Sequence, residues 1–268
     1  MTLAEVVAAA LAEDLGPLGD ITSALLPGGA KARARLVPRA AGVLAGRDAA
    51  AETFRQVDGA LALVWLGVDG DGLTAGQPFA TVEGRLASIL TAERTALNFL
   101  CHLSGVATLT RRYVEAARPA QIRDTRKTTP GLRALEKAAV RAGGGANHRG
   151  SLSDGVLVKD NHLGGMTIEE AAAAARRTWP GRTVQVECDR IDQVAAAVAA
   201  GADLVLLDNM PPSEVASCVQ LVAGACLVEV SGGVTLDNVA AYAAAGADLI
   251  SVGALTHSAP VLDIGVDL

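Results

Sequence analysis

Five cationic side chains, Arg126, Lys127, His148, Arg149 and Lys159, fall between Asp124 and His162 among glycines, loop-like stretches and the ends of apolar runs. An arginine fork grips a carboxylate through two parallel N–H bonds, and lysine adds a compact point charge. Grouped this way, they describe a box for a small molecule with several negative charges. The whole chain has a formal net charge of -6, so the attraction must be local. Surface ion pairs are the competing reading. For Arg133, Lys137 and Arg141 that reading is preferred, because they repeat at helical spacing beside Glu136 and describe a solvated face.

Two carboxylates complement the cations. Glu187 and Asp208 close consecutive apolar runs and could hold Mg²⁺ together with substrate oxygens, or bind sugar hydroxyls directly. Hard oxygen ligands without a His/Cys cluster favour Mg²⁺ over zinc. The alternative is structural pairing with Lys159 or Arg126. Ser231-Gly232-Gly233 and Val252-Gly253-Ala254 each follow a strand-like run and precede a helical one. Glycine admits close backbone approach, and free N–H groups at a helix start favour an anion, so phosphate is the expected ligand. His257 follows the second turn, where it either touches that phosphate or is incidental. Arg94 lies on the stripe of Leu90, Leu97 and Cys101, where a helix should be buried. It must therefore be paired there or reach a cleft, including that of another subunit, the alternative being a rim residue that snorkels to solvent. His162 and Asn161 are read as orienting Lys159 or satisfying loop backbone, and His102 as a core or interface residue.

The elements that must position these groups change character along the chain. Residues 1 to about 104 read as mixed α/β. Helices are expected at Leu3–Leu15, Ala49–Gln56 and Leu86–Leu103. Strands are expected at Ala32–Val37, Ala41–Leu44, Ala60–Leu66 and Pro78–Glu83, with Gly67, Gly70, Gly72 and Gly76 in turns. From about Val106, strands at Gln121–Asp124, Gly155–Val158, Val184–Glu187, Leu204–Leu207, Leu227–Val230 and Leu249–Val252 alternate with helices. Those helices are Leu132–Ala142, Ile168–Thr178, Ile191–Ala200, Ser213–Val222 and Leu236–Ala245. The stretch Ala199–Asn209 is echoed by Ala244–Ala254. Repeated strand–helix units predict a parallel sheet wound into a closed or nearly closed α/β barrel. Its strands would bring their C-terminal ends, and so the groups above, to one mouth.

Composition narrows the function. Half of the 268 residues are hydrophobic and only 3% aromatic, so Ala, Val, Leu and Gly must fill the core. The acidic balance and the lack of a basic run with interleaved aromatics argue against nucleic acid. No apolar stretch approaches the roughly 20 residues needed to cross a bilayer. The N-terminus reads as an amphipathic helix rather than a signal peptide. Cys101, Cys188, Cys218 and Cys226 show no CxxC pairing, and reduced cysteines in a cytoplasmic protein are expected.

The motifs resemble those of the quinolinate phosphoribosyltransferase family. The resemblance rests on Ala12–Thr22, Ala92–Thr108, Asp124–Arg149, Leu157–His162, Val186–Cys188, Leu206–Met210, Val230–Gly233 and Ser251–Ser258. The blocks TRKTTPG and KDNH are together highly specific. It implies an N-terminal α/β sandwich domain over 1–104, joined by the tail 259–268. It also implies an incomplete, open α/β barrel of about six or seven strands over 105–258. It further implies at least a homodimer, with Arg94 crossing into the neighbouring site. Arg94, Thr125, Arg126, Lys127, His148, Arg149 and Lys159 would surround quinolinate. Glu187 and Asp208 would hold the ribose and Mg²⁺-pyrophosphate side of phosphoribosyl pyrophosphate. Ser231, Gly232, Gly233, the Val252–Ala254 turn and His257 would receive its 5-phosphate. Two departures stand out. Val230 occupies a position where the family commonly has serine, which could remove a phosphate hydrogen bond. The stretch Asn147–Gly155 differs from the family's usual pattern, which could alter one wall of the pocket.

The implied reaction gives nicotinate mononucleotide, CO₂ and pyrophosphate, a step of NAD biosynthesis. Lys127 and Lys159 are both candidates to protonate the ring carbanion. Three rivals stay open: a phosphoribosyltransferase for nicotinate or another pyridine acid, a Schiff-base lyase using Lys159, and a non-catalytic nucleotide-binding protein.

Overall fold

The computed structural model describes residues 1–268. In chain order, α1 (Leu3–Leu15), β1 (Lys31–Pro38), β2 (Gly42–Val43), α2 (Arg47–Val57), β3 (Ala62–Trp65), β4 (Gly72–Leu73), β5 (Ala80–Arg85) and α3 (Leu86–Ala116) come first. Next are β6 (Gln121–Arg123), α4 (Arg133–Ala142), β7 (Val156–Val158), α5 (Asp160–Leu163), α6 (Ile168–Thr178), β8 (Val184–Cys188) and α7 (Ile191–Ala199). The chain ends with β9 (Leu204–Asp208), α8 (Pro212–Val222), β10 (Leu227–Ser231), α9 (Val239–Ala244), β11 (Leu249–Ser251), α10 (Ala254–His257) and β12 (Ile264–Asp267). Two compact units result. One holds Met1–Arg111, Thr128–Gly144 and Thr256–Leu268; the other holds Arg112–Lys127 and Gly145–Leu255.

The second unit is an all-parallel six-stranded sheet in the order β6-β11-β10-β9-β8-β7. The outer strands β6 and β7 do not pair with each other, and only a bridge from Arg123 to Ala146 extends β6. The barrel is therefore open, with six strands. Each strand buries a β-branched or aliphatic row, as in Val184 and Val186, Val205 and Leu207, Val228 and Val230, and Ile250. These alternate with residues on the opposite face, as strand geometry requires. One expected helix starts late: α9 begins at Val239 rather than Leu236, because Thr235 and Asn238 form a turn first. The Asn238 side chain accepts from Thr235 N at 2.8 Å and donates to the Gly233 carbonyl at 3.0 Å, competing with helix backbone.

In the first unit an antiparallel sheet runs β12-β1-β5-β3, with Leu36 opposite Val266 and Ala80. The C-terminal tail thus returns as an edge strand. Gly72, expected in a turn, instead pairs in the small β2-β4 ribbon opposite Val43. The core joins Leu36, Leu44, Phe54, Val82, Ile264 and the face of α3 that carries Ile89, Ala92, Ala96 and Leu100.

Helix α3 corrects two expectations. It runs on to Ala116 instead of stopping near Leu103, because Gly105 is carried within the helix rather than ending it, at the point where the tail approaches closely. Its buried stripe passes through Ile89, Ala92, Ala96 and Leu103, so Arg94 is exposed rather than buried. The face of α4 is corrected too: Glu136 is fully buried and Lys137 nearly so. Glu136 lies 2.8 Å from Nε2 of His102 and accepts from Thr129 N at 3.1 Å, so helical charge spacing marked a buried network, not a solvated stripe.

The tail closes on α3 at Gly105. Leu262 N donates to the Cys101 carbonyl at 2.9 Å, and a Cβ on Gly105 would run into the carbonyl oxygen of Pro260. Backbone cannot swing aside as a side-chain end can. Gly105→Ala is expected to lower stability by about 1–3 kcal/mol through overpacking. Gly28→Ala, which meets nothing within 4 Å, should stay within about 0.5 kcal/mol of the parent. Urea unfolding midpoints of both variants check this.

Candidate active site

The site follows from strand parity. With β8, β9, β10 and β11 aligned in parallel, Gln185 and Glu187 fall on one face with Leu204, Leu206 and Asp208. Leu227, Glu229 and Ser231 share that face with Leu249 and Ser251. Arg123 joins from β6, paired with Ser251. The face opposite the valine row is therefore apolar at the strand starts and charged or hydroxylated toward the C-terminal ends. A cavity of about 550 Å³ opens there.

Its lining includes Thr125, Arg126, Lys127, His148, Arg149, Lys159, Glu187, Asp208, Ser231, Gly232 and Gly233. Eleven side chains and glycines scattered over more than a hundred positions thus meet because parallel strands end on one side. Arg94, Val252, Gly253, Ala254 and His257 are not in this lining. Arg94 makes no hydrogen bond or ion pair within the chain. His257 is exposed in α10, with Nδ1 2.6 Å from Ser258 Oγ.

Cations enter from the ends of β6 and β7. Burial, then the neighbouring charge of Arg126, holds the Arg149 guanidinium below its ordinary value. Cations crowded like this are relieved by a bound anion. The loop bearing Arg149 is fixed by Asp124, fully buried, which accepts from His148 N at 2.8 Å and Asn147 Nδ2 at 2.5 Å. Farther along, Asp154 accepts from Gly150 N at 2.6 Å, Ser151 N at 3.1 Å and Ser151 Oγ at 2.7 Å. The unusual Gly150–Ser153 stretch is thus a self-capped turn. His148 differs from the other members of the box. Its Nδ1 accepts from Arg149 N at 2.7 Å and its Nε2 lies 3.2 Å from Gln185 Oε1. Burial is the chief cause of a lowered imidazole pKa, which favours the neutral ring.

The carboxylates come from β8 and β9. Lys159 Nζ lies 2.6 Å from Glu187 Oε2, an ion pair with both ends partly exposed. His162 Nδ1 accepts from Lys159 N at 3.1 Å, which satisfies the loop backbone as expected. Asp208 accepts from Asn209 Nδ2 at 2.8 Å. Asn209 has φ 57°, a left-handed conformation that Asn tolerates better than most residues. The glycine turn from β10 wraps around it. Gly232 has φ 91°, and a Cβ there would strike the Asn209 side-chain oxygen. The amides of Gly232 and Gly233 donate to no group of the chain. They form a pair of donors suited to phosphate oxygens. Val230, by contrast, is fully buried on the opposite face of β10. The valine at this position therefore removes no contact from the cradle.

Four lining residues were not singled out from the sequence: Leu157, Leu206, Asn209 and Ser251. Asn209 carried a signal, an Asp-Asn pair directly after an apolar run. The others read as ordinary strand residues until register places them on the inner face.

Comparison with known proteins agrees with this geometry. Residues 20–104 match the model of the quinolinate phosphoribosyl transferase N-terminal domain, and residues 106–267 match that of its C-terminal domain. A nicotinate-nucleotide pyrophosphorylase [carboxylating] of Mycobacterium leprae is 45% identical, over 97% of this chain and 94% of the relative. A quinolinate phosphoribosyltransferase [decarboxylating] of Nicotiana tabacum is 37% identical, over 99% of this chain and 82% of the relative. The solved nicotinate-nucleotide pyrophosphorylase of Francisella tularensis superposes with a TM-score of 0.96 at 37% identity, covering 99% and 95% of the two chains. Fold, full-length sequence likeness and a mouth furnished for anions converge, and the chain belongs to the quinolinate phosphoribosyltransferase family.

Proposed function

We infer that this chain transfers the phosphoribosyl group of phosphoribosyl pyrophosphate to quinolinate, with decarboxylation. The products are nicotinate mononucleotide, CO₂ and pyrophosphate. One observation carries the reading beyond family likeness. The cavity sets the cations from the β6 and β7 ends beside carboxylates from β8 and β9 and a glycine turn from β10. Both substrates are polyanions, and each finds a matching region.

Arg126 and Arg149 grip the two pyridine carboxylates, with Thr125, Lys127, His148 and Lys159 around them. The ribose hydroxyls lie toward Glu187 and Asp208. Ser231 and the amides of Gly232 and Gly233 receive the 5-phosphate, with Val252, Gly253 and Ala254 completing that end. The pyridine nitrogen attacks the ribose C1 as the C1–O bond to pyrophosphate breaks. The attacking nitrogen bears no proton, so no general base is needed. Positive charge developing on the ribose is stabilised by Glu187 and Asp208. The quaternised nitrogen then accepts the electron pair released as the adjacent carboxylate leaves as CO₂. Lys127 or Lys159 returns a proton to the ring carbon.

The donor set fits Mg²⁺. No group of three or more His, Cys, Asp or Glu encloses a metal alone, and Mg²⁺ is commonly held by one or two carboxylates plus substrate phosphates. Glu187 and Asp208 are the residues that would hold it. When bound, it neutralises charge on the departing pyrophosphate.

Arg94, exposed and unpaired on α3, supports a homodimer in which it enters the site of a second copy. Four free cysteines support a reducing, cytoplasmic location. No helix is long and apolar enough to cross a membrane.

Purified protein given quinolinate, phosphoribosyl pyrophosphate and Mg²⁺ should release CO₂ and form nicotinate mononucleotide in equal amounts. Turnover of nicotinate but not quinolinate would overturn the substrate. Arg126→Ala removes a bidentate carboxylate grip and should lower kcat/KM by about a hundredfold. Gly232→Ala disturbs the phosphate turn, because it forces Asn209 aside. It should raise the KM for phosphoribosyl pyrophosphate about tenfold or more while calorimetric quinolinate affinity stays within about twofold.

A further inference from the structure

The barrel interior beneath the mouth holds a charged group that the mechanism above does not use. Glu229 is fully buried in the middle of β10. Its Oε2 accepts from Gln185 Nε2 at 2.7 Å and from Arg123 NH1 at 3.3 Å, and its Oε1 accepts from Ser251 Oγ. Three donors thus converge on one buried acceptor. Such a group is costly to bury unless it is fully satisfied.

The bonds have a direction. Gln185 spends its Nε2 on Glu229, so its Oε1 faces His148 Nε2 at 3.2 Å. An amide oxygen only accepts, so Nε2 of the imidazole must carry the proton. The neutral ring then leaves Nδ1 as an acceptor. At that end Arg149 N, which can only donate, lies 2.7 Å from Nδ1. The same tautomer is demanded independently from both sides of the ring. A proton on Nδ1 would face the Arg149 N–H head-on and force that peptide to turn.

We propose that Glu229 and Gln185 are positioning residues, which fix the tautomer of His148 and thereby the orientation of Arg149 toward the dicarboxylate. The proposal rests on the function inferred above. It gives His148 a role other than that of a cation touching substrate: the ring transmits order from the barrel interior to Arg149. Arg123 reinforces the anchor from β6, with its NH2 donating to the Asn147 carbonyl at 3.2 Å on the same loop. The charged groups around the ring are Glu229 on β10, Arg123 on β6, Asp124 below the His148 amide, and Arg149 itself.

Nitrogen-15 NMR of histidine-labelled, full-length protein reads the ring directly. The His148 signal is identified by its loss in His148→Asn. At neutral pH it should show a protonated Nε2 and a bare Nδ1. An imidazolium, or a proton on Nδ1, overturns the proposal without any variant. Gln185→Leu keeps the side-chain bulk and cuts the relay. It should give mixed tautomers and raise the KM for quinolinate about tenfold, while the KM for phosphoribosyl pyrophosphate stays within about twofold. An unchanged quinolinate KM, or equal changes in both, refutes the relay. Glu229→Gln can keep an oxygen toward Gln185 and turn its amide to Ser251 Oγ, so the tautomer should survive; its loss there would refute an acceptor-directed chain. If the wild-type protein turns over no quinolinate, the functional reading fails, yet the ring spectrum still decides the relay.

Discussion

A buried carboxylate inside an open barrel is the constraint on which the site depends. Glu229 lies where a small parallel barrel would ordinarily place an aliphatic side chain. Its neighbours must therefore be donors, and Arg123, Gln185 and Ser251 are. This polar plug comes from four different strands, so it holds strand register as well as charge. A slip of one residue in any strand would exchange its polar row for the valine row against the helices.

The plug also makes sense of the mouth above it. An acidic protein concentrates cations at the ends of β6 and β7, where burial and then the neighbouring charge of Arg126 hold Arg149 below its ordinary value. Crowding like this would be unfavourable without counter-charge. Asp124, Glu229 and Glu187 provide it from below and beside. Lys159 and Glu187 neutralise each other at 2.6 Å. The glycine turn adds two amides, of Gly232 and Gly233, that donate to no group of the chain.

Much of this was legible in the chain. The six parallel strands, the principal helices and the convergence of strand-end residues follow from periodicity and from turn residues. That holds because apolar rows and glycine breaks are local properties. The motifs from Asp124 to Arg149 and from Leu157 to His162 pointed to a family that the comparisons bear out. Two readings failed for one reason. The placement of Arg94 on the buried stripe of α3, and the solvated face assigned to Lys137 beside Glu136, were each judged from spacing within a single helix. Burial is decided by what packs against that element, and a stripe at helical or strand spacing does not state which face is covered.

The sequence alone determined the α/β class, the alternation that builds the barrel, and the identities of the groups at its mouth, because each depends on residue type and local period. Only the tertiary structure decided that Gln185, Glu229 and Ser251 share one interior face and that Asn209 occupies the space a Cβ on Gly232 would need. It alone showed that both nitrogens of His148 are already engaged. Those facts depend on register between strands far apart in the chain, and hydrogen-bond direction exists only once donor and acceptor have been brought together.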